Sequence, residues 1–416
     1  MYCGACTRDV NLLRGLIARG HDVEVIPLYT PLHTDYDAVP GSSRIFYGGI
    51  NAYLQQVSAV FQHTPSAVDA ILDNPALLRW VSKFAISVSG EKLGPMTVSV
   101  LSGHKGRQRK ELAKLMSYLE QGPRPDVINI TNSLLSCIAP EIKDRLRVPV
   151  VCTLQGEDAF VGIMPEPFRS QAQSLMQRNC ADVDCFVSPG KGYADRMSEF
   201  LSVSSERIRV IHAGIDTSLY RNSGHRPKDP FTIGYLSVIN PAKGLDILVD
   251  AFILLDKSAS ASEITLRVAG KIQDKAYWKS IVGRVAEAGL SSRFEHLGEV
   301  DMQGKVEFLR QCSVFSVPSR MEESRGMAVM EAMAAGVPVI VPNTGVFPEM
   351  LSMVGGGLLF KAGDSRSLAD ALHTLLHDPD SADVLGKQGA AGIEKHYSAD
   401  RMADETIEAY SRLIAL

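Results

Sequence analysis

Short apolar runs alternate along the chain with longer segments in which apolar residues recur at helical spacing. The runs are rich in Val and Ile, which is typical of parallel strands covered on both faces. Strands of this kind joined by helices indicate an α/β fold with doubly wound parallel sheets, and the length suits two such units. The predicted strands are 22–28, 126–130, 149–154, 185–188 and 208–212 in a first series, and 231–236, 265–270, 314–318 and 337–341 in a second.

A polar stretch at 220–230 separates the two series of strands. It contains Gly224, Pro227 and Pro230 and has no apolar period, which is typical of a linker. We therefore place the domain boundary there. Residues 1–219 are predicted to form an N-terminal domain and residues 220–398 a C-terminal domain.

The beginning of the N-terminal domain departs from the usual order of elements. Residues 7–19 have helical period, and Gly20 ends this helix before the strand at 22–28. A doubly wound domain normally opens with a strand and a glycine-bearing turn ahead of such a helix. Gly4 and its small neighbours fit the turn, but the strand before it is missing, so we expect the native polypeptide to start upstream.

Charge and cysteine content argue against several classes of protein. The 416 residues carry 43 basic and 47 acidic side chains, whereas a nucleic-acid-binding protein normally has a basic excess. No apolar run is long enough to span a membrane as a helix, and the first residues do not resemble a secretory signal. Seven scattered cysteines indicate a reduced, cytoplasmic protein. Cys3 and Cys6 lack the second pair that a zinc site needs, and they fit a small-residue turn.

The loop and helix after the strand at 314–318 carry the most informative polar residues. Glu323 lies in the predicted loop, and a helix is predicted from about residue 325 to residue 335. In doubly wound folds the ligand lies at the carboxyl ends of the strands, beside helix N-termini. The free backbone N–H groups at the start of this helix would therefore form an anion site that suits a diphosphate. They belong to Gly326, Met327 and Ala328.

Two glutamates, Glu323 and Glu331, are separated by seven residues. Glu323 would overhang the ligand crevice, and Glu331 would lie two turns into the helix. A carboxylate accepts two hydrogen bonds and so suits a vicinal diol such as a ribose or a hexose. The alternative interpretation is that Glu331 is a solvated helix residue.

This spacing resembles the E-x7-E motif of the family-four retaining glycosyltransferases. Lys243 and Gly244 resemble the first strand–loop–helix of that family's nucleotide domain. Further segments resemble other motifs of the family in the expected order. They are 151–158 for its T-x-H-G-x-D strand end, 210–216 for its N-G-V-D interdomain segment, 344–349 for its G-x-P-E turn and 357–364 for its closing segment.

The resemblance implies a GT-B fold, in which two Rossmann-like domains face each other and the helix at 399–416 crosses back to the first domain. It implies that the C-terminal domain binds a nucleotide-diphosphate sugar and that the N-terminal domain binds a saccharide or lipid-linked acceptor. Glu331 would hold the ribose, Glu323 would contact the donor sugar, and Lys243 would neutralise the leaving diphosphate. Gly4 would belong to the donor site, and Gln155, Gly156 and Asp158 would line the sugar cleft. An apolar insertion at 51–85 would either shape the acceptor cleft or cap the core.

Four positions depart from the family's pattern. Val238 stands where the family usually has an arginine, five residues before the lysine. Gln155 replaces a histidine, and although it can hydrogen-bond a sugar it cannot act as an acid or a base. Ala213 replaces an asparagine. Arg325 replaces an aromatic residue in the predicted first helical turn, where it would either substitute for the missing charge or lie on the surface.

Weaker patterns in the sequence bear on metal binding and on membrane contact. The family needs no bound metal, and chance explains three Asp-x-Asp triplets at 35–37, 182–184 and 378–380 better than a metal site does, so we expect no cofactor. The basic run at 104–110 leads into a helix that fits a solvated face. The alternative is a peripheral contact with the inner membrane face.

The sequence therefore favours a cytoplasmic, metal-independent, retaining glycosyltransferase that uses a nucleotide-diphosphate sugar. One alternative is a nucleotide-sugar-binding protein that has lost catalysis, for which Val238, Gln155 and Ala213 argue. Another is a phosphorylase or an epimerase on the same scaffold. The base, the donor sugar, the acceptor and the oligomeric state do not follow from the sequence.

Overall fold

The computed structural model describes residues 4–28, 46–47, 49–58, 90–221, 230–258 and 264–415. The chain divides into two compact units. The N-terminal unit contains Ala5–Ile211 and the chain from Ala403 onward, and the C-terminal unit contains His212–Met402 together with Gly4. Each unit has a hydrophobic core of its own.

The N-terminal unit is built on a parallel four-stranded sheet of order β1-β2-β3-β4. Its strands are β1 Ile128–Ile130, β2 Val150–Thr153, β3 Cys185–Ser188 and β4 Ile208–Val210. Every residue of β2 and β3 is buried, as their continuous apolar sequence predicts. The described helices are α1 Gly4–Ala18, α2 Gly49–Val57, α3 Gly90–Leu101, α4 Arg109–Gln121, α5 Ile138–Arg145, α6 Glu157–Gly162, α7 Phe168–Asn179 and α8 Lys191–Leu201.

The C-terminal unit is built on a parallel six-stranded sheet of order β10-β9-β8-β5-β6-β7. Its strands are β5 Phe231–Leu236, β6 Ile264–Ala269, β7 Phe294–His296, β8 Val314–Phe315, β9 Val339–Pro342 and β10 Gly357–Phe360. Its helices are α9 Leu245–Ser258, α10 Lys275–Glu287, α11 Met302–Arg310, α12 Met327–Ala334, α13 Phe347–Val354, α14 Ser365–His377 and α15 Pro379–His396. The strand order reverses between β5 and β8, and ligands bind at such a switch point in doubly wound folds.

The last helix, α16 (Ala399–Ile414), begins in the C-terminal unit and from Ala403 belongs to the N-terminal unit. There the Asn129 side-chain amide donates to the Tyr410 hydroxyl at 2.6 Å, and Arg19 pairs with Asp404. The predicted return of the C-terminal helix to the first domain is thus confirmed, as is the α/β fold with two parallel sheets.

The boundary between the units lies earlier than the linker suggests. The sequence places it at residues 219 and 220, whereas the structure groups the chain with the C-terminal unit from His212 onward. Backbone contacts explain the difference. The Ile215 N–H donates to the Tyr397 carbonyl at 2.9 Å, and the Ala399 N–H donates to the Ile215 carbonyl at 2.8 Å. The polar stretch that resembles a linker therefore follows a segment already packed in the C-terminal unit.

Three further expectations for the N-terminal unit need correction or lie outside the described residues. The predicted strand at 22–28 is wrong, because that segment has only isolated bridge residues, one of which pairs Leu28 with Phe46. Gly4 and Cys6 lie in helix α1 and not in a turn, while Cys3 is outside the described residues. Of the insertion at 51–85, only residues 51–58 are described, and residues 51–57 belong to α2.

Candidate active site

Lys243 and Glu323 meet at the switch point of the C-terminal sheet. Lys243 follows β5 and Glu323 follows β8, and the sequence separation between them is 80. The Lys243 Nζ lies 2.5 Å from the Glu323 Oε1, and each side chain is 22% exposed. The structure thus places a cation and a carboxylate side by side at the edge of the sheet where a doubly wound fold binds its ligand.

The Lys243 loop is held by local hydrogen bonds and by close backbone packing. The Asn240 side chain accepts from the Lys243 N–H at 3.2 Å and so caps the turn that ends at Lys243. Gly244 has a φ of 69°, and a Cβ there would lie 1.9 Å from the Pro318 carbonyl oxygen. Only glycine fits this position, because the Lys243 loop and the segment after β8 touch through their backbones.

The turn after β9 contacts the backbone of the Glu323 loop. The Val346 N–H donates to the Glu323 carbonyl at 2.8 Å. Gly345, in the same turn, has a φ of 62°, and a Cβ there would lie 2.6 Å from the Glu323 carbonyl oxygen and 2.7 Å from its nitrogen. The segment that resembles a G-x-P-E turn therefore packs against the Glu323 backbone and holds it in place.

Replacing Gly345 with alanine is expected to lower both the thermal stability and the turnover. The new Cβ would clash with backbone atoms and would sit on a left-handed residue, which together cost about 1–3 kcal/mol. Gly363→Ala is the matched control, since Gly363 has a φ of 78° but nothing within 4 Å of a Cβ. Scanning calorimetry of both variants checks the prediction, and an equal shift in Tm would show that the contact with Glu323 has no cost.

The helix beyond Glu323 begins two residues later than its sequence suggests. Gly326, with a φ of 66°, is the N-cap of α12, and Met327 is the first helical residue. A Cβ at Gly326 would lie 2.9 Å from the Phe347 ring, so this position also requires glycine. The placement of Arg325 in the first helical turn is therefore wrong. Arg325 is half-buried in the loop ahead of the helix.

Of the three amides that the sequence assigns to an anion site, those of Met327 and Ala328 lie in the first turn of α12, and Gly326 is the residue before it. The helical bonds begin with the Met330 N–H, which donates to the Gly326 carbonyl at 3.0 Å. The preceding N–H groups of Met327 and Ala328 consequently have no acceptor within the helix. Together with the positive end of the helix dipole they provide a partial positive charge next to the loop that carries Glu323.

Glu331 is buried in an ion pair that sequence reasoning missed. The Lys305 Nζ donates to the Glu331 Oε1 at 2.7 Å, and each side chain is 6% exposed. Glu331 is thus not a solvated helix residue. Because a carboxylate has about four acceptor positions, Lys305 leaves it capacity for further donors. The one signal in the sequence is that Lys305 shares the apolar face of α11 with Phe308 and Leu309.

In the N-terminal unit, a buried carboxylate organises the loop after β2. Glu157 is 3% exposed and accepts from the N–H groups of Ser133, Gln155 and Gly156 at 2.8, 2.7 and 2.9 Å. The Gln155 side chain donates to the Thr131 carbonyl. Asp158 pairs with the Arg196 Nε at 3.1 Å. The predicted sugar-cleft residues therefore lie together where this loop enters α6, with Gln155 and Gly156 in the loop and Asp158 in the helix, and Glu157 is the residue that sequence reasoning missed there.

Metal-binding clusters and membrane-spanning helices are both absent from the described residues. No group of three or more His, Cys, Asp or Glu side chains among them could hold a metal ion. No helix in the described part of the chain is both long enough and apolar enough to cross a membrane.

Family models match most of the chain. The model for glycosyl transferases group 1 matches residues 216–391, and the model for glycosyltransferase family 4 matches residues 91–219. This chain belongs to the group 1 glycosyltransferases. The two matches meet between residues 216 and 219, close to the boundary between the structural units.

Individual relatives agree with this family. An uncharacterized glycosyltransferase of Methanocaldococcus jannaschii is 26% identical over 278 residues, which cover 67% of this chain and 72% of the relative. A D-inositol 3-phosphate glycosyltransferase of Nocardia farcinica is 25% identical over 337 residues, covering 77% of this chain and 71% of the relative.

Solved structures establish the GT-B fold. Sucrose-phosphate synthase from Thermosynechococcus elongatus superposes with a TM-score of 0.69 and 20% identity, over 97% of this chain and 92% of that one. The Anabaena protein HepE, in complex with UDP, superposes with a TM-score of 0.62 and 19% identity, over 75% of this chain and 84% of HepE. At these identities the likeness concerns the fold alone.

Proposed function

We propose that this glycosyltransferase moves a sugar from a nucleoside-diphosphate donor to an acceptor hydroxyl, with retention of configuration and without a bound metal. The observation that carries the proposal is the contact between Lys243 and Glu323 at the switch point, 2.5 Å apart, beside the start of α12. A diphosphate placed there would meet one lysine and the amides of a helix N-terminus. Both stabilise the negative charge that builds on a leaving phosphate.

Glu331 is the residue that we assign to the nucleoside. It lies on α12, eight positions beyond Glu323, and Lys305 holds one of its oxygens. A carboxylate held in this way is already oriented before ligand binding and can accept from two neighbouring hydroxyl groups. A ribose carries such a pair.

The charges of the same site support metal independence. Lys243 and the N-terminus of α12 supply positive charge where a metal would otherwise be needed. Retention requires that the acceptor attack the face from which the diphosphate departs. In that arrangement the leaving diphosphate can take the acceptor's proton, so that no separate base is required in the loop of Gln155 and Asp158.

UDP-sugars are the first donors to try, because the similar protein HepE has been solved with UDP and with UDP-glucose. The acceptor is a saccharide, a polyol or a lipid-linked sugar. Among the relatives, one acts on D-inositol 3-phosphate and one is a phosphatidyl-myo-inositol mannosyltransferase. That variety of acceptors fits a fold whose acceptor loops differ from member to member.

The proposal is tested by incubating the protein with UDP-, GDP- and ADP-sugars in EDTA and following release of the nucleotide. NMR of the new glycosidic bond then reports its configuration. We expect one donor to be used in EDTA with its anomeric configuration retained. Inversion, or activity that returns only with manganese, would overturn the mechanism. Tight binding without transfer would instead support a binding protein that has lost catalysis.

Replacing Glu323 with glutamine is expected to tighten the binding of a free nucleoside diphosphate while lowering turnover. Glu323 holds Lys243 and would compete with a diphosphate for it, and a partly exposed pair of this kind is worth up to about 1 kcal/mol. The affinity should therefore rise by up to about fivefold. Calorimetric titration measures it, with the neighbouring Glu322→Gln as control. Equal affinities in the two variants would contradict the competition.

A further inference from the structure

Arg320 joins the two loops that carry Lys243 and Glu323. Its N–H donates to the Ala242 carbonyl at 2.9 Å, and its Nη1 donates to the Pro241 carbonyl at 2.9 Å. Both carbonyls belong to the turn that ends at Lys243. Arg320 itself lies three residues before Glu323. One residue thus bonds the first loop through its backbone and through its side chain.

The guanidinium of Arg320 is fixed on its other side by Asp246. Two parallel bonds link them, from Nη1 to Oδ1 at 2.7 Å and from Nη2 to Oδ2 at 2.6 Å. This fork geometry restricts orientation as well as distance. A lysine cannot reproduce it, because its ammonium is a single point charge.

Asp246 is held in turn by Tyr277. The Tyr277 hydroxyl donates to the Asp246 Oδ1 at 2.6 Å and accepts from the Asp246 N–H at 2.8 Å. Burial raises the pKa of Asp246, but the hydrogen bonds from Arg320 and Tyr277 outweigh this and keep it below its ordinary value. The carboxylate therefore stays charged at neutral pH and is anchored to α10 as well as to α9.

We propose that Arg320 is a positioning residue that sets the distance between Lys243 and Glu323. The inference rests on the proposed function of those two residues. The carbonyls that Arg320 holds immediately precede Lys243, and its own backbone continues directly to Glu323. Loss of the side chain leaves the Lys243 turn joined to the second loop by fewer bonds. The reacting groups then sample a wider range of separations.

The experiment compares Arg320→Ala and Arg320→Lys with Arg284→Ala. Arg284 is the matched control, because it too pairs with an aspartate of α9, Asp250 at 3.1 Å, and is 43% exposed like Arg320, but it lies on α10 and not in either loop. With the donor found in the screen, we expect Arg320→Ala to lower kcat about tenfold or more with a smaller change in KM, since misplacement of reacting groups acts on turnover. Arg320→Lys should be intermediate, and Arg284→Ala should match the wild type.

A double variant separates positioning from general destabilisation. If Arg320 acts through Lys243, then Arg320→Ala has little further effect on kcat in a Lys243→Met background. If the two losses multiply, or if kcat is unchanged in Arg320→Ala, the proposal is overturned. Loss of thermal stability alone, equal to that of Arg284→Ala, would also overturn it.

Amide hydrogen exchange tests whether Arg320 holds the two loops together, and this test does not depend on sugar transfer. We expect faster exchange at residues 241–245 and 319–323 in Arg320→Ala, and unchanged exchange there in Arg284→Ala. Unchanged exchange in Arg320→Ala would overturn the proposal. If the wild-type protein transfers no sugar from any donor, the proposed function fails, and exchange still shows whether Arg320 holds the loops together.

Discussion

Replacing Lys305 with methionine is expected to destabilise the C-terminal unit by about 3–5 kcal/mol, the usual cost of removing one partner of a buried ion pair. Glu331, whose side chain is 6% exposed, would stay buried without the ammonium that now lies 2.7 Å away. For a domain of this size the loss corresponds to a fall in Tm of roughly 6–20 °C. Differential scanning calorimetry would show it as a shift of the C-terminal unit's transition.

Two further variants show whether the effect comes from the unpaired charge. Lys305→Met combined with Glu331→Leu removes both charges and should recover much of the lost stability, because two apolar side chains can replace a buried pair. Arg293→Met breaks a pair with Asp256 in which both side chains are 26% exposed, and should cost no more than about 1 kcal/mol. If the double variant were less stable than Lys305→Met, the unpaired Glu331 carboxylate would not be the cause of the lost stability.

The second large effect is a loss of turnover when Lys243 is replaced with methionine. Lys243→Met removes the only side-chain cation that the described residues place in contact with Glu323. Losing one donor to a developing oxyanion lowers kcat by about 10²–10³. The affinity for a nucleoside diphosphate should also fall, by about 1.5–3 kcal/mol, since a charge-assisted bond to phosphate is lost. Steady-state kinetics and calorimetry measure the two effects separately.

Lys361→Met provides the control for Lys243→Met. Lys361 lies in the same unit, is 78% exposed and makes one long contact with Asp364 at 3.8 Å. It should leave both kcat and nucleotide affinity unchanged. A Lys243→Met enzyme with wild-type kcat would remove Lys243 from the mechanism and would leave α12 as the main source of positive charge.

The sheets could be predicted from the sequence for physical reasons, and so could the places of Lys243 and Glu323 after two of the strands. Strands covered on both faces must be apolar throughout, so β2, β3 and β5 are visible as continuous runs. Residues that follow neighbouring parallel strands emerge at the same edge of the sheet. Because β5 and β8 are neighbours, Lys243 and Glu323 meet although they are distant in the chain.

The parts that could not be predicted depend on tertiary contacts of single side chains. The place of Lys305 on the apolar face of α11 does not indicate its partner, and only the tertiary structure pairs it with Glu331. The start of α12 depends on the left-handed conformation of Gly326, which the neighbouring Phe347 ring makes obligatory. The segment 22–28 has the composition of a strand, but a strand also needs a paired neighbour along its length.

Arg320 illustrates the same limit within the site. It lies three residues before Glu323, and nothing in this sequence position indicates a role. Its bonds to the Pro241 and Ala242 carbonyls and to Asp246 exist only when the two loops are already adjacent. Residues that hold other residues in place are therefore the ones that the structure adds to the sequence analysis.

Calorimetric titration of the protein with UDP, GDP and ADP in EDTA measures directly whether a diphosphate binds beside Lys243. We expect one nucleotide to bind without metal, Lys243→Met to weaken this binding, and Lys361→Met to leave it unchanged. We also expect Glu331→Gln to weaken this binding, because we assign the nucleoside to that carboxylate. Absence of binding by all three nucleotides, or equal binding in the wild type and Lys243→Met, would contradict a diphosphate site at the ends of β5 and β8.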